Sequence, residues 1–153
     1  MSASLKRQEK PNIGSGLFLQ GAKGTGKTHL ACGYLKEYAL QGQSIRFVTV
    51  PDLFLSIRAS FGGDTSEEGV VDSWRKTQVL VLDDLGTEKL TDWAYQTLYA
   101  ILDYRYREML ITIITSNYTK KKLEGKIGER LVSRFYEMCT TITLKGRDRR
   151  IDK

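Results

Sequence analysis

The chain has 153 residues, 41% of them hydrophobic, enough for one domain around a real core, and a formal net charge of +6 that a polyanionic partner and a solvated basic face explain about equally well. No stretch approaches the roughly 20 apolar residues of a membrane span, and residues 1–10 lack the apolar core of a signal peptide, so a soluble protein without a membrane partner is expected. Cys32 and Cys139 stand far apart, with no C-x-x-C spacing and no histidine cluster, which argues against a zinc site or a disulfide framework and for a reducing cytoplasm.

In chain order, residues 1–11 read as a basic tail or linker and residues 12–153 as one domain. Leu17-Phe18-Leu19, closed by glycines, predicts a buried strand that feeds a glycine-rich loop, Gly21 to Thr28. The apolar spacing from Thr28 to Gln41 predicts a helix stopped by Gly42, and Ile45 to Val50 a second strand. Leu53 to Ser60 and a segment ending near Trp74 read as short helices on either side of the Gly62-Gly63-Asp64 turn. Val79 to Leu82 is a third strand that ends on Asp83-Asp84, and Thr91 is a plausible N-cap for a long helix. Ile111 to Thr115, residues 128–138 and Thr140 to Leu144 follow as strand, helix and strand. Alternating strands and helices imply right-handed crossovers: an α/β, three-layer α/β/α sandwich around a mostly parallel five-stranded sheet.

The loop Gly21-Ala22-Lys23-Gly24-Thr25-Gly26-Lys27-Thr28 carries the sharpest chemistry. Gly24 and Gly26 let backbone N–H groups converge on phosphates, the following helix adds its positive end, Lys27 reaches the β- and γ-phosphates of ATP, and the Thr28 hydroxyl ligates Mg²⁺. His29 closes the nucleotide-binding run. As a base it is not needed for phosphoryl transfer, and it is expected to pack against the sheet. Turnover needs a carboxylate for the metal and a group to polarise water: Asp83 takes the first role and Asp84 the second. Asn117, at the end of a neighbouring strand, can hydrogen-bond the water or γ-phosphate, or serve only as a turn residue. Arg130 and Arg134 share one helical face. They are either solvated or offered to a neighbouring subunit's γ-phosphate, with Arg150 a second candidate unless it and its arginine neighbours form a basic tail.

Gly21–Thr28, Val79–Gly86, Thr115–Asn117, Gly128-Glu129-Arg130-Leu131-Val132-Ser133-Arg134-Phe135 and Gly146–Arg150 together resemble the AAA+ domain of DnaC/DnaI-type bacterial replicative helicase loaders, relatives of the DnaA initiator and the IstB transposition ATPase. The resemblance spans residues 12–150 and implies slow, partner-stimulated ATP hydrolysis in a P-loop NTPase domain. It implies Lys27 and Thr28 as Walker A, Asp83 and Asp84 as Walker B and Asn117 as sensor 1. Arg134 becomes the arginine finger, with Arg130 beside it, and Arg150 becomes sensor 2. It also implies a replicative helicase as partner, ATP-dependent self-association, and single-stranded DNA held against the insertion from Val50 to Trp74. Of the basic residues in and just after that insertion, Arg58, Arg75 and Lys76 are the ones expected on a basic, aromatic-bearing surface for the strand.

This chain departs from the pattern in having Asp84 where many AAA+ proteins carry Glu. The loaders' separate helicase-binding domain is not among these residues, as is expected either of a piece of a longer protein or of a minimal phage or mobile-element homologue, and no helical lid is read after Arg150, as is expected in this clade. The alternatives are an IstB-type transposition ATPase on duplex DNA and a nucleotide-switched adaptor with little turnover. A small-molecule kinase is disfavoured, because the insertion is too short and too mixed to make an arginine-rich lid.

Overall fold

A computed structural model of the protein describes residues 16–148 and Arg150. The basic tail expected over residues 1–11, and Arg149 with residues 151–153 of the C-terminal one, lie outside the described residues. The elements are β1 (Gly16–Gly21), α1 (Lys27–Leu40), β2 (Ile45–Thr49), α2 (Val50–Arg58), α3 (Glu67–Arg75), β3 (Val79–Asp83), α4 (Asp92–Arg107), β4 (Ile111–Ser116), α5 (Lys120–Ile127), α6 (Glu129–Met138) and β5 (Cys139–Leu144). The strands pair in the order β2-β3-β4-β1-β5, and every pairing is parallel. β1, which carries the glycine-rich loop at its carboxyl end, is therefore flanked by β4 and β5.

Side chains along a strand alternate between faces, and the core divides accordingly. Leu19, Val79, Val81 and Ile113 pack with Ala31 and Leu35 of α1 on one face. Phe18, Leu80, Leu82 and Ile114 pack on the other against residues of the remaining five helices. Asp83 and Thr115 have the parity of Val81 and Ile113, so both side chains turn toward α1, whose first turn follows the glycine-rich loop.

Helix starts are set by short polar side chains. Thr49, Ser66 and Thr91 each accept the backbone N–H three residues on, capping α2, α3 and α4. Val50 belongs to α2 rather than to the preceding strand, because the Thr49 cap ends the extended backbone one residue early. One helix escaped the sequence reading. α5 has three lysines in its first turn, where the helix dipole disfavours cations, and a glycine in its interior. It forms because Leu123 and Ile127 bury themselves in the core.

Arg105 is fully buried, and burial pulls its guanidinium down to about 10. It donates to Thr112 Oγ1 at 2.8 Å and to the carbonyls of Arg75, Thr77, Gln78 and Ile111, pinning the amino ends of β3 and β4 together. Among the described residues, no helix is long and apolar enough to cross a membrane.

Candidate functional site

The carboxyl ends of β1, β3 and β4 open into a cleft of about 760 Å³ lined by residues 23–30 together with Asp84, Thr87, Asn117, Leu144 and Arg150. Its floor is the loop between β1 and α1. Gly24 and Gly26 hold φ values of +79° and +96°, a left-handed backbone that a side chain would strain. Thr25 Oγ1 donates to the Ala22 carbonyl at 2.8 Å and locks the turn. α1 starts without a side-chain cap and without an acid in its first turn, which leaves the first N–H groups of the helix for an anion. Lys27 is 6% exposed and donates to the carbonyls of Gly21 and Ala22, each at 2.9 Å. Burial pushes its ammonium below the usual range. Asp84 and Asp83 draw it back up, and Arg150 opposes them.

The acidic wall is equally well ordered. Asp83, 4% exposed, accepts the Thr28 hydroxyl at 3.0 Å and the Thr115 hydroxyl at 2.6 Å. Asp84 has φ +59° and donates its backbone N–H to Thr115 Oγ1 at 3.0 Å. Its carboxyl is held above the usual range, first by burial and then by the negative charge of Asp83, against the pull of Lys27 and Lys23. Thr28 and Asp83 bring a hydroxyl and a carboxylate together beside the loop, the hard oxygen donors that Mg²⁺ accepts, so the residues present fit that ion.

A family model described as an IstB-like ATP binding protein matches residues 9–151, nearly the whole chain. The chain belongs to the IstB-like ATP-binding family. The domain is 30% identical over 159 residues to the replicative helicase loader DnaI of Bacillus subtilis, covering 95% of this chain and 51% of that protein. It is 30% identical over 124 residues to the replicative helicase loader DnaC of Escherichia coli K12, covering 80% and 50%. It thus spans about half the length of these curated relatives. Among solved structures, a crystal structure of the DnaC helicase loader superposes with a TM-score of 0.78 at 33% identity, covering 94% of this chain and 85% of that one. The crystal structure of DnaI gives 0.78 at 29%, covering 94% and 80%. The expected AAA+ P-loop fold and family are thereby established.

The IstB-like domain gathers most of the predicted site residues into one cleft: the loop from Lys23 to Thr28, Asp84, Asn117 and Arg150 line it, with Asp83 directly beneath Thr28. His29 lines it too and is exposed, which corrects the expectation that it packs against the sheet. The interior face of α1 is taken by Ala31 and Leu35, and His29 falls off that stripe. Arg150 pairs with the Asp148 carboxylate through Nε and Nη2, both at 3.0 Å. It lines the cleft of its own subunit, and Asp148 lies so close to Gly24 that a Cβ there would collide with the carboxylate.

Arg134 and Arg130 stand apart from the cleft, on α6 against α4. Arg134 donates to the Tyr99 hydroxyl at 3.3 Å, pairs with Asp103 at 3.4 Å and lies over the Tyr106 ring, while Arg130 covers Tyr99. The three basic residues of the insertion do not converge. Arg58, at the end of α2, stacks over Trp93. Arg75 and Lys76 both pair with Asp72 at the end of α3, beside the amino end of β3 and so across the sheet from the cleft.

Sequence reasoning gave no role to Thr115, Thr87 or Asp148, although Thr115 and Asp148 fall within stretches that carry the resemblance. A threonine in a β-strand reads as an ordinary β-branched residue, and only strand register shows what its hydroxyl meets. Thr87 donates its hydroxyl to the Asp84 carbonyl at 3.2 Å and lines the cleft.

Proposed function

We propose that this domain binds Mg²⁺–ATP, hydrolyses it, and serves as the nucleotide-driven assembly module of a replicative helicase loader that self-associates and holds single-stranded DNA. The convergence of Lys27, Thr28, Asp83, Asp84, Asn117 and Arg150 in one cleft, with Arg134 outside it, carries this reading. The DnaC and DnaI names of its relatives support the cellular role.

Lys27 exchanges its loop carbonyls for the β- and γ-phosphates, and the exposed N–H groups at the start of α1 hold the remaining phosphate charge. Thr28 and Asp83 hold the metal ion, which neutralises charge on the phosphate oxygens when bound. Asp84 orients the attacking water, and its raised basicity suits it to accept a proton. Asn117 hydrogen-bonds that water or the γ-phosphate, and Arg150 faces the phosphates of its own subunit. Arg134, on α6 and away from the cleft of its own subunit, exchanges its contacts on α4 for a neighbour's site and neutralises transition-state charge there, so turnover is slow in the monomer and rises on assembly.

The test is complementation. Lys27→Ala loses nucleotide binding but still offers Arg134, whereas Arg134→Ala binds nucleotide but offers no guanidinium. Each alone is expected to lose hydrolysis by about a thousandfold and their mixture to regain a measurable part of it. An Arg134→Ala protein with full activity, or a mixture no better than its parts, would sink the assembly reading. The match to an IstB-like family keeps duplex DNA as a second reading. Equal or tighter binding of duplex than of single strands in the presence of ATP would favour it.

A further inference from the structure

Two acids that must act differently sit side by side at the end of β3, and one hydroxyl from β4 touches both. Thr115 is 0% exposed. Its single O–H proton goes to Asp83 Oδ1 at 2.6 Å, and its oxygen accepts the Asp84 backbone N–H at 3.0 Å. Its carbonyl accepts the N–H of Leu85 at 2.9 Å. Thr115 therefore grips three consecutive residues of the turn, one through a side chain and two through the backbone. Next to it, Ser116 Oγ donates to the Leu85 carbonyl at 2.7 Å and holds the same turn from the opposite face.

Packing alone does not call for a hydroxyl here. Valine has nearly the shape of threonine and suits a buried strand, whereas a buried hydroxyl carries a desolvation cost unless its partners are present. Both partners of Thr115 belong to the acidic pair. The backbone adds a second reason: Asp84 occupies the left-handed region, which a residue with a side chain leaves readily unless its peptide is held. The Thr115 hydroxyl holds the N–H of that peptide. From this geometry we infer that Thr115 is a positioning residue, whose hydroxyl orients the Asp83 carboxylate beside Thr28 for the metal ion and fixes the Asp84 peptide so that its carboxylate enters the cleft.

The inference rests on the Mg²⁺–ATP reading, and the measurement separates the two. The affinity of the full chain for a fluorescent ATP analogue is measured with Mg²⁺ and with a chelator, alongside thermal melting and steady-state hydrolysis, for wild type, Thr115→Val, Thr115→Ser and Thr115→Cys. Thr115→Val is expected to bind the analogue like wild type without Mg²⁺, because the glycine-rich loop and Lys27 are untouched. It should lose about tenfold or more of the Mg²⁺-linked gain in affinity, with kcat falling and KM for Mg²⁺–ATP rising in step. Thr115→Ser keeps the hydroxyl and should stay within about twofold of wild type, while Thr115→Cys, its counterpart with sulfur for oxygen, should lose the gain as valine does. The serine and cysteine pair carries the test even where the valine protein melts early. A cysteine protein matching the serine one, or a valine protein retaining the full Mg²⁺ gain, overturns the role of Thr115 alone. A wild type with no Mg²⁺ gain overturns the Mg²⁺–ATP reading as well.

Discussion

Asp84 carries a cost in the folded protein that its proposed role explains. Burial and the neighbouring Asp83 charge raise its pKa, so at neutral pH the ionised form destabilises the fold, and this penalty disappears as pH falls through the raised value and then through the ordinary carboxylate range. Asp84→Asn is therefore expected to melt higher than wild type at pH 7, by on the order of 2 °C, and to lose that advantage near pH 4. The same protein should hydrolyse ATP about a hundredfold or more slowly while binding it normally. An unchanged hydrolysis rate would assign the water to another group. At this scale residue type and spacing were enough to group residues that the fold brings together: Lys27, Thr28 and Asn117 line one cleft, and Asp83 meets Thr28 beside it. It was silent where partnership depends on register. Pairing Leu82 with Ile114 brings Asp83 beside Thr115, and no local pattern announces that.

Elements were legible in proportion to how far local signals and burial agreed. β1, β3 and β4 are apolar runs bounded by turn residues, and α2 and α4 carry cap residues, so both pattern and propensity led to the same reading. α5 was missed because its first-turn lysines and interior glycine argue against a helix that only tertiary burial of Leu123 and Ile127 rescues. That conflict is measurable. Gly125 in α5 and Gly33 in α1 lie inside helices, and a Cβ added at either meets nothing within 4 Å. Gly33→Ala and Gly125→Ala should each stabilise the protein by about 0.5–1 kcal/mol, read as a higher urea midpoint at unchanged m-value. The gain at Gly125 tests directly whether α5 is held by packing against its own propensity. A loss at either site would show that the helix does not accommodate a Cβ there, against the open space around both glycines.

At the scale of the molecule, the net charge of +6 matters only through where its uncompensated cations lie. The insertion carries two different surfaces. At the end of α3, Arg75 and Lys76 are both committed to Asp72, and Arg75 also lies over Tyr104. At the end of α2, exposed Arg58 stacks over Trp93, with Phe61 51% exposed at the edge of the same indole and Leu55 61% exposed nearby. A cation beside accessible aromatic rings suits single strands, which offer both phosphates and unstacked bases. If the proposed single-strand binding uses this surface, each phosphate contact contributes about −0.7 to the slope of log affinity against log salt. Arg58→Ala should then weaken binding and make the slope shallower by about that amount. Phe61→Ala should weaken binding with the slope intact, because stacking releases no counterions. Arg75→Ala and Lys76→Ala should each change both quantities less, since both cations are tied to Asp72, which offsets one of their two charges. Titrations of a labelled oligonucleotide at several salt concentrations, with ATP present, decide the matter. Should Arg75→Ala and Lys76→Ala move the slope as much as Arg58→Ala, the strand runs down α3 toward the amino end of β3 instead. The DNA path and the nucleotide cleft would then lie on opposite edges of the sheet, and coupling between them would have to pass through β3 and the Arg105 pin.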